Sequence, residues 1–404
     1  MTITEQRPVD GGPPARHASF EERPFRPVKA LAAVGVFALL MEALIIGRWI
    51  TGPHFKATPI GPSVVPTYMK VGLTGLTVIG LVAWAVCMWF FLVKPWRRER
   101  RITVDGMFAI TFVLIYWLDP LGDWIVPQFT YNSWLWNRGS WLPESGSLMP
   151  NSGRIPEPLF LTGPLYLWCI FGVVVGANVL MRKAKARWPQ LGTVGMATGT
   201  VLCFIVWDLF WELTFIRIGY WTYPTTPHWL TVFGGSWYRI HLTEPICWGT
   251  AWASFALLRY FKDDKGRTIA ERGIDQVKTT SRNKSLLRFA AIYGTCNVFF
   301  LLFYIIPTNA IAVHGDGWPK DTLTRSYFTD YVCGDGTDYA CPSQGTPIPR
   351  PKSAHLDPAG GLVPGQLPTS PKPPVEFSRK CVSSASSLAR KTPAAATSSS
   401  CPAP

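Results

Sequence analysis

Long apolar runs alternate with short polar or basic stretches along most of the chain. Seven runs, at about 28–50, 71–93, 104–118, 159–180, 191–211, 245–260 and 286–306, approach the roughly 20 residues that span a hydrocarbon core. The third and sixth are short, and their outer ends are expected to continue as polar helix. The pattern predicts an all-α, polytopic transmembrane helix bundle of about seven spans over residues 26–341. Residues 1–25 and the Pro/Ser/Ala-rich stretch 342–404 lack apolar periodicity and read as disordered tails. Residues 1–27 are polar and Pro-rich, which is not how a cleavable signal peptide begins.

Charge gives the bundle a direction. Lys94, Arg97, Arg98, Arg100 and Arg101 follow the second run, and Arg182, Lys183, Lys185 and Arg187 follow the fourth. The stretch from Arg259 to Arg288, after the sixth, is also basic. The other connections are nearly empty of cations, with Lys56 in the first, Arg138 and Arg154 in the third, and Arg217 and Arg239 in the fifth. This positive-inside asymmetry sets the N-terminus in the cytoplasm and the C-terminus outside, as a multi-pass protein of the cell membrane. The net charge of +14 is therefore topology rather than a nucleic-acid footprint, because only 16% of residues are charged while 48% are hydrophobic. Cys87, Cys169, Cys203, Cys247 and Cys296 lie in apolar runs and behave as small hydrophobes. No CxxC or Cys/His spacing points to zinc. Cys333 and Cys341, in "VCGDGTDYAC", are placed to pair if that segment meets an oxidising compartment.

Against this background the carboxylates stand out. "WDLFWELTF" (207–215) carries Asp208 and Glu212 one helical turn apart, at a depth where each acid costs roughly 2.5–3.5 kcal/mol. The segment echoes an earlier one. "LDPLGDW", a loop with "NRGSW", and "PEPLFLTGPLYLW" match in order "WDLFWEL", a loop with "FGGSWYR", and "TEPICWGTAW". Each has an acidic pair at a span's outer end (Asp119/Asp123, then Asp208/Glu212) and a Glu-Pro opening the next span (Glu157, then Glu244). At helical rise, Asp119 and Asp208 lie roughly 22 and 25 Å from the inner ends of their spans, and Glu42 roughly 21 Å. The acids thus share one layer in the outer half of the membrane. Ordinary structural roles compete for several of them. Glu42 suits an interhelical hydrogen bond, Asp123 a cap, and Glu157 and Glu244 the first turn of a helix. Tryptophans such as Trp141, Trp221 and Trp237 suit an interfacial belt, and His241, the lone imidazole near the acids, a structural one.

Carboxyl groups in a dry aromatic cavity act as acid/base pairs, and aromatic faces attract a developing cation. The layer therefore suits acid-catalysed cyclisation or dehydration of a lipophilic small molecule taken from the bilayer. The candidate centre is Asp208 with Glu212, helped by Asp119, Asp123 and Glu244. Glu157, Tyr131, Asn132, Trp141, Trp211, Tyr220, Trp221, Trp237, Tyr238 and His241 would line the substrate. Two other readings use the same layer: a metal-dependent intramembrane prenyl transferase or terpene-type cyclase, and a proton-coupled transporter or lipid-binding protein.

The order of "DPLGDW", "YNSWLWNRGSW", "EPLF", "GYWTYP", "FGGSWYRIHLTEP" and "LLRYFKDDKGRTIAERG" resembles the AveC-like family of bacterial integral-membrane proteins, over roughly residues 25–345. The resemblance implies closure of a dihydroxy ketone, usually a polyketide, to a spiroketal, with dehydration in some members, and with no metal or redox cofactor. It assigns no site residue, and it leaves the oligomeric state open.

Overall fold

The computed structural model describes residues 26–329, 332–333, 355–356 and 362–363. Its long helices are α1 (Val28–Thr51), α2 (Thr67–Glu99), α3 (Val104–Asp123), α4 (Thr162–Arg187), α5 (Thr193–Ile218), α6 (Thr243–Tyr260) and α7 (Ser281–Ala312). Five of them, α1, α2, α3, α4 and α7, are long and apolar enough to cross a membrane, the mark of a multi-pass membrane protein. The surface agrees. Along α2 only Met69, Leu73 and Gly80 are buried, while Val71, Ile79 and Val82 are each 60% or more exposed. Water would not tolerate so continuous an apolar face, and hydrocarbon does.

Local sequence explains the helix ends. The Thr103 hydroxyl accepts the Gly106 N–H at 3.1 Å and caps α3. Gly219, in the left-handed region at φ +84°, closes α5 and turns the chain outward. Close packing then sets the helix pairs. A Cβ on Gly249 of α6 would lie 2.8 Å from the backbone of Ile205 on α5, so only hydrogen fits where these helices cross. That contact holds the acids of α5 against the start of α6. Between α1 and α7 the Tyr293 hydroxyl donates to Glu42 at 2.7 Å, the interhelical bond expected of that glutamate.

At one end Arg259 donates to both oxygens of Asp105, at 3.0 and 2.9 Å, and to Asn178 Oδ1 at 2.7 Å. This clamp gathers the end of α6, the start of α3 and the last turns of α4, from which the three basic loops leave. The opposite end is a folded cap rather than open loops. β1 (Thr130–Tyr131) pairs antiparallel with β2 (Trp221–Thr222), and β3 (Thr231–Val232) with β4 (Ile240–His241). Ser133 N–H donates to Tyr327 O at 2.8 Å, and Trp237 N–H to Asp321 Oδ2 at 3.0 Å, tying in the segment after α7. Strands of two residues are too short for alternation to reveal, so the sequence showed only Gly- and aromatic-rich loops.

The disorder expected of residues 1–25 and of most of 342–404 falls outside the described residues. Within the second stretch, His355–Leu356 pairs with Leu362–Val363, a short ladder that composition did not suggest. Cys333 is disulfide-bonded, and Cys341, its expected partner, lies outside the described residues.

Candidate active site

Beneath the cap, the cap-side ends of α3, α4, α5, α6 and α7 enclose a cavity of about 50 Å³. Three carboxyl groups from three helices line it: Asp119, Glu212 and Glu244. Asp119 accepts hydroxyl protons from Tyr131 at 2.8 Å and Tyr166 at 2.7 Å, one on each oxygen. Glu212 Oε2 accepts from Tyr223 at 2.7 Å and from the Trp221 indole N–H at 3.2 Å, which leaves Oε1 uncommitted. Glu244 faces Tyr304 and Tyr223, its Oε2 has no hydrogen-bond partner, and it interacts electrostatically with Glu212 and Asp119. Aromatic rings complete the walls, among them Trp211, Tyr220, Trp248 and Trp252.

Backbone irregularities aim these groups. The last nine residues of α3, Ile115–Asp123, wind as a 3₁₀ helix around Pro120, and Asp119 lies on that segment. π-turns at Tyr166–Phe171 in α4 and Leu301–Ile305 in α7 each carry a cavity tyrosine, Tyr166 and Tyr304. Such turns insert a residue and rotate the side chains beyond it, which is why they gather at functional sites. The β1–β2 ladder places Tyr131 and Trp221 over the opening, and Tyr223 follows β2 directly. Burial holds the Tyr131, Tyr220 and Tyr223 hydroxyls well above the usual phenol range, so all three remain proton donors.

The sequence-derived site is only partly assembled here. Asp119, Glu212, Glu244, Tyr131, Trp211, Tyr220 and Trp221 meet at the cavity. Asp208 does not. It is fully buried one turn inward of Glu212, neither oxygen has a hydrogen-bond partner, and it is absent from the cavity wall. Of the expected Asp208/Glu212 pair, the cavity wall therefore carries Glu212, beside Asp119 and Glu244, while Asp208 lies outside the wall and interacts electrostatically with Glu212 and Glu244. Helical spacing put the pair on one face, but that face is wider than the cavity.

Asp123 instead closes a turn, with Oδ1 accepting the Gln128 and Phe129 N–H groups at 2.7 and 3.0 Å. Glu157 lies behind Asp119, against that carboxyl and the Ser140 hydroxyl, without a hydrogen bond of good geometry. Burial holds its carboxyl well above the usual range, and the charges of Asp119 and Asp123 add to the effect. Asn132 donates to Gly219 O at 3.1 Å and the Trp141 indole to Trp117 O at 2.8 Å, and neither residue lines the cavity. Trp237 stacks on Phe328, and Arg217 lies 3.7 Å from the Tyr238 ring centre. The His241 ring packs edge-on to Tyr223, and burial, then the nearby Arg239, push it down to about 3. Expected along the substrate, with a structural role as the competing reading, it lies outside the cavity wall, with Nδ1 against the Thr243 hydroxyl. The missed residues are Tyr166, Tyr223 and Tyr304. Of these, Tyr223 lay in the quoted "GYWTYP" and Tyr166 in the quoted "PEPLFLTGPLYLW", and Tyr304 lay in no quoted segment.

The family model described as spirocyclase AveC-like matches residues 99–328, from just before α3 to the end of the cap. The chain belongs to the AveC-like spirocyclase family. Membership implies an enzyme with a spirocyclase-type function, and the matched region contains all the cavity carboxyls. No curated protein and no solved structure matches the chain. Among the described residues, no group of three or more His, Cys, Asp or Glu side chains is arranged to hold a metal ion.

Proposed function

We propose that this AveC-like protein is a membrane-embedded acid/base cyclase that closes a lipophilic dihydroxy ketone, of polyketide or lipid type, to a spiroketal without metal or redox cofactor. The observation that carries the reading is the convergence of Asp119, Glu212 and Glu244 on one aromatic cavity. Glu212, with Oε1 uncommitted, gives its proton to the hydroxyl of a hemiketal. The carbon–oxygen bond breaks, water leaves, and an oxocarbenium ion remains. Asp119, held by its two phenols, balances that positive charge, and the surrounding rings stabilise it. The second hydroxyl then bonds to the cationic carbon as Glu244 removes its proton. One water is lost, and the protein returns to its starting state once a proton moves from Glu244 to Glu212.

In this reading α5 and α6 complete a seven-span bundle with the N-terminus and the basic loops in the cytoplasm. Dehydration of the product would use the same acid and base. The test is turnover of a lipophilic dihydroxy ketone by protein purified in detergent, followed by mass spectrometry. A Glu212→Gln variant with an unchanged melting temperature should lose about 10²-fold or more, the scale of general acid catalysis. Wild-type turnover in that variant would reject the assignment.

A further inference from the structure

The cavity of about 50 Å³ has room for a few waters, not for the hydrocarbon part of a lipophilic substrate. Immediately outside it, between α4 and α5, lies an apolar groove of about 590 Å³. Gly172, Gly176 and Leu180 form one side of it, and Cys203, Trp207 and Trp211 the other. Trp211 is also a wall of the cavity, so a single indole belongs to both spaces. Its ring stacks on Trp207, with centroids 5.8 Å apart and planes 19° from parallel.

From Trp211 the groove runs roughly 12 Å along α5 to Cys203, toward the end where the basic loops leave. Its outer side is open: Leu180 is 66% exposed, and a Cβ on Gly172 or Gly176 would meet nothing within 4 Å.

We propose that this groove seats the hydrocarbon arm of the substrate, loaded sideways from the bilayer, with Trp211 as the movable partition through which the oxygen-bearing end reaches the acids. The inference rests on the cavity being the acid/base site. It assigns the occupant by continuity, since the groove is apolar throughout and ends on a residue of the cavity wall. It also removes a topological difficulty. The acids lie toward the outer side, but the groove descends toward the basic side, so a substrate made in the cytoplasm reaches them from the inner half of the membrane.

The test uses full-length protein in phospholipid vesicles and a long-chain dihydroxy ketone carrying a diazirine at the end of its alkyl chain. Photolysis should place adducts in the 172–180 and 203–207 segments. Gly176→Phe fills the groove without touching backbone, and should cut those adducts about tenfold while the melting temperature holds. Adducts spread equally over the lipid-facing sides of α1 and α2, or wild-type labelling of Gly176→Phe, would overturn the proposal. So would equal groove labelling by a diazirine phospholipid that the dihydroxy ketone fails to displace. Glu212→Gln should label like wild type. Full turnover in Glu212→Gln would sink the acid/base reading alone and leave the groove's labelling to be judged by itself.

Discussion

Tyr131 and Trp221 are direct partners across the β1–β2 ladder, and each reaches back to the acid of the helix preceding its strand, Tyr131 to Asp119 and Trp221 to Glu212. The two halves of the sequence echo thus meet at one short ladder, with an acid–aromatic hydrogen bond on each side. The cap is therefore part of the site and not only a cover.

The two acids of "WDLFWEL" should behave differently. Glu212→Gln removes a cavity proton donor and should lower turnover about 10²-fold or more. Asp208→Asn changes a group outside the cavity and should cost no more than about tenfold, the effect of roughly 1.4 kcal/mol. Parallel turnover and melting measurements in detergent check this, and equal losses in both variants would return Asp208 to the centre.

The two phenols on Asp119 should each be felt in the rate and should act together. Tyr131→Phe and Tyr166→Phe each delete one donor to a carboxylate, worth about 1.5–3 kcal/mol, or roughly ten- to a hundredfold in rate if felt at the transition state. Each should lower kcat more than it raises KM. A non-additive double variant would show that the two donors act as one unit.

Gly249→Leu should unfold or loosen the protein. A Cβ there meets the Ile205 backbone at 2.8 Å, and overpacking of this kind costs about 1–3 kcal/mol. A lowered melting temperature with Glu212 and Glu244 intact is the expected result. Gly176→Phe, made in the open groove, is the contrasting substitution.

Stability should depend on pH through Glu157 and His241 with opposite signs. Burial raises the folded-state affinity of Glu157 for its proton, so that its contribution is full below about 4.5 and is lost as pH rises. For His241 burial depresses the folded value from 6.5 to about 3, and its contribution, full above 6.5, is lost as pH falls through that window. Glu157→Gln should therefore flatten the alkaline side of a melting-temperature profile, and His241→Asn the acid side. Profiles parallel to wild type would show that neither group titrates on unfolding.

Turnover should survive exhaustive dialysis against EDTA, as the proposed chemistry uses only carboxyl groups and aromatic faces. Loss of activity restored by Mg²⁺ would favour the metal-dependent prenyl transferase or terpene-type cyclase reading.

Much of this protein was legible along the chain. Apolar runs of span length set the helices, because 1.5 Å per residue against a fixed hydrocarbon thickness allows little else. The same arithmetic put Asp119, Asp208 and Glu42 in one layer, joined by the Glu157 and Glu244 that open the next spans, and residue order alone carried the family resemblance. Depth, however, is one coordinate. Which acids meet was decided by rotation about each helix and by close contacts such as Gly249 on Ile205, and these put Glu212 in the cavity and Asp208 behind its wall. The tyrosines that hold the acids came from π-turns and a two-residue ladder, local departures from regular winding that leave no periodic trace in a sequence.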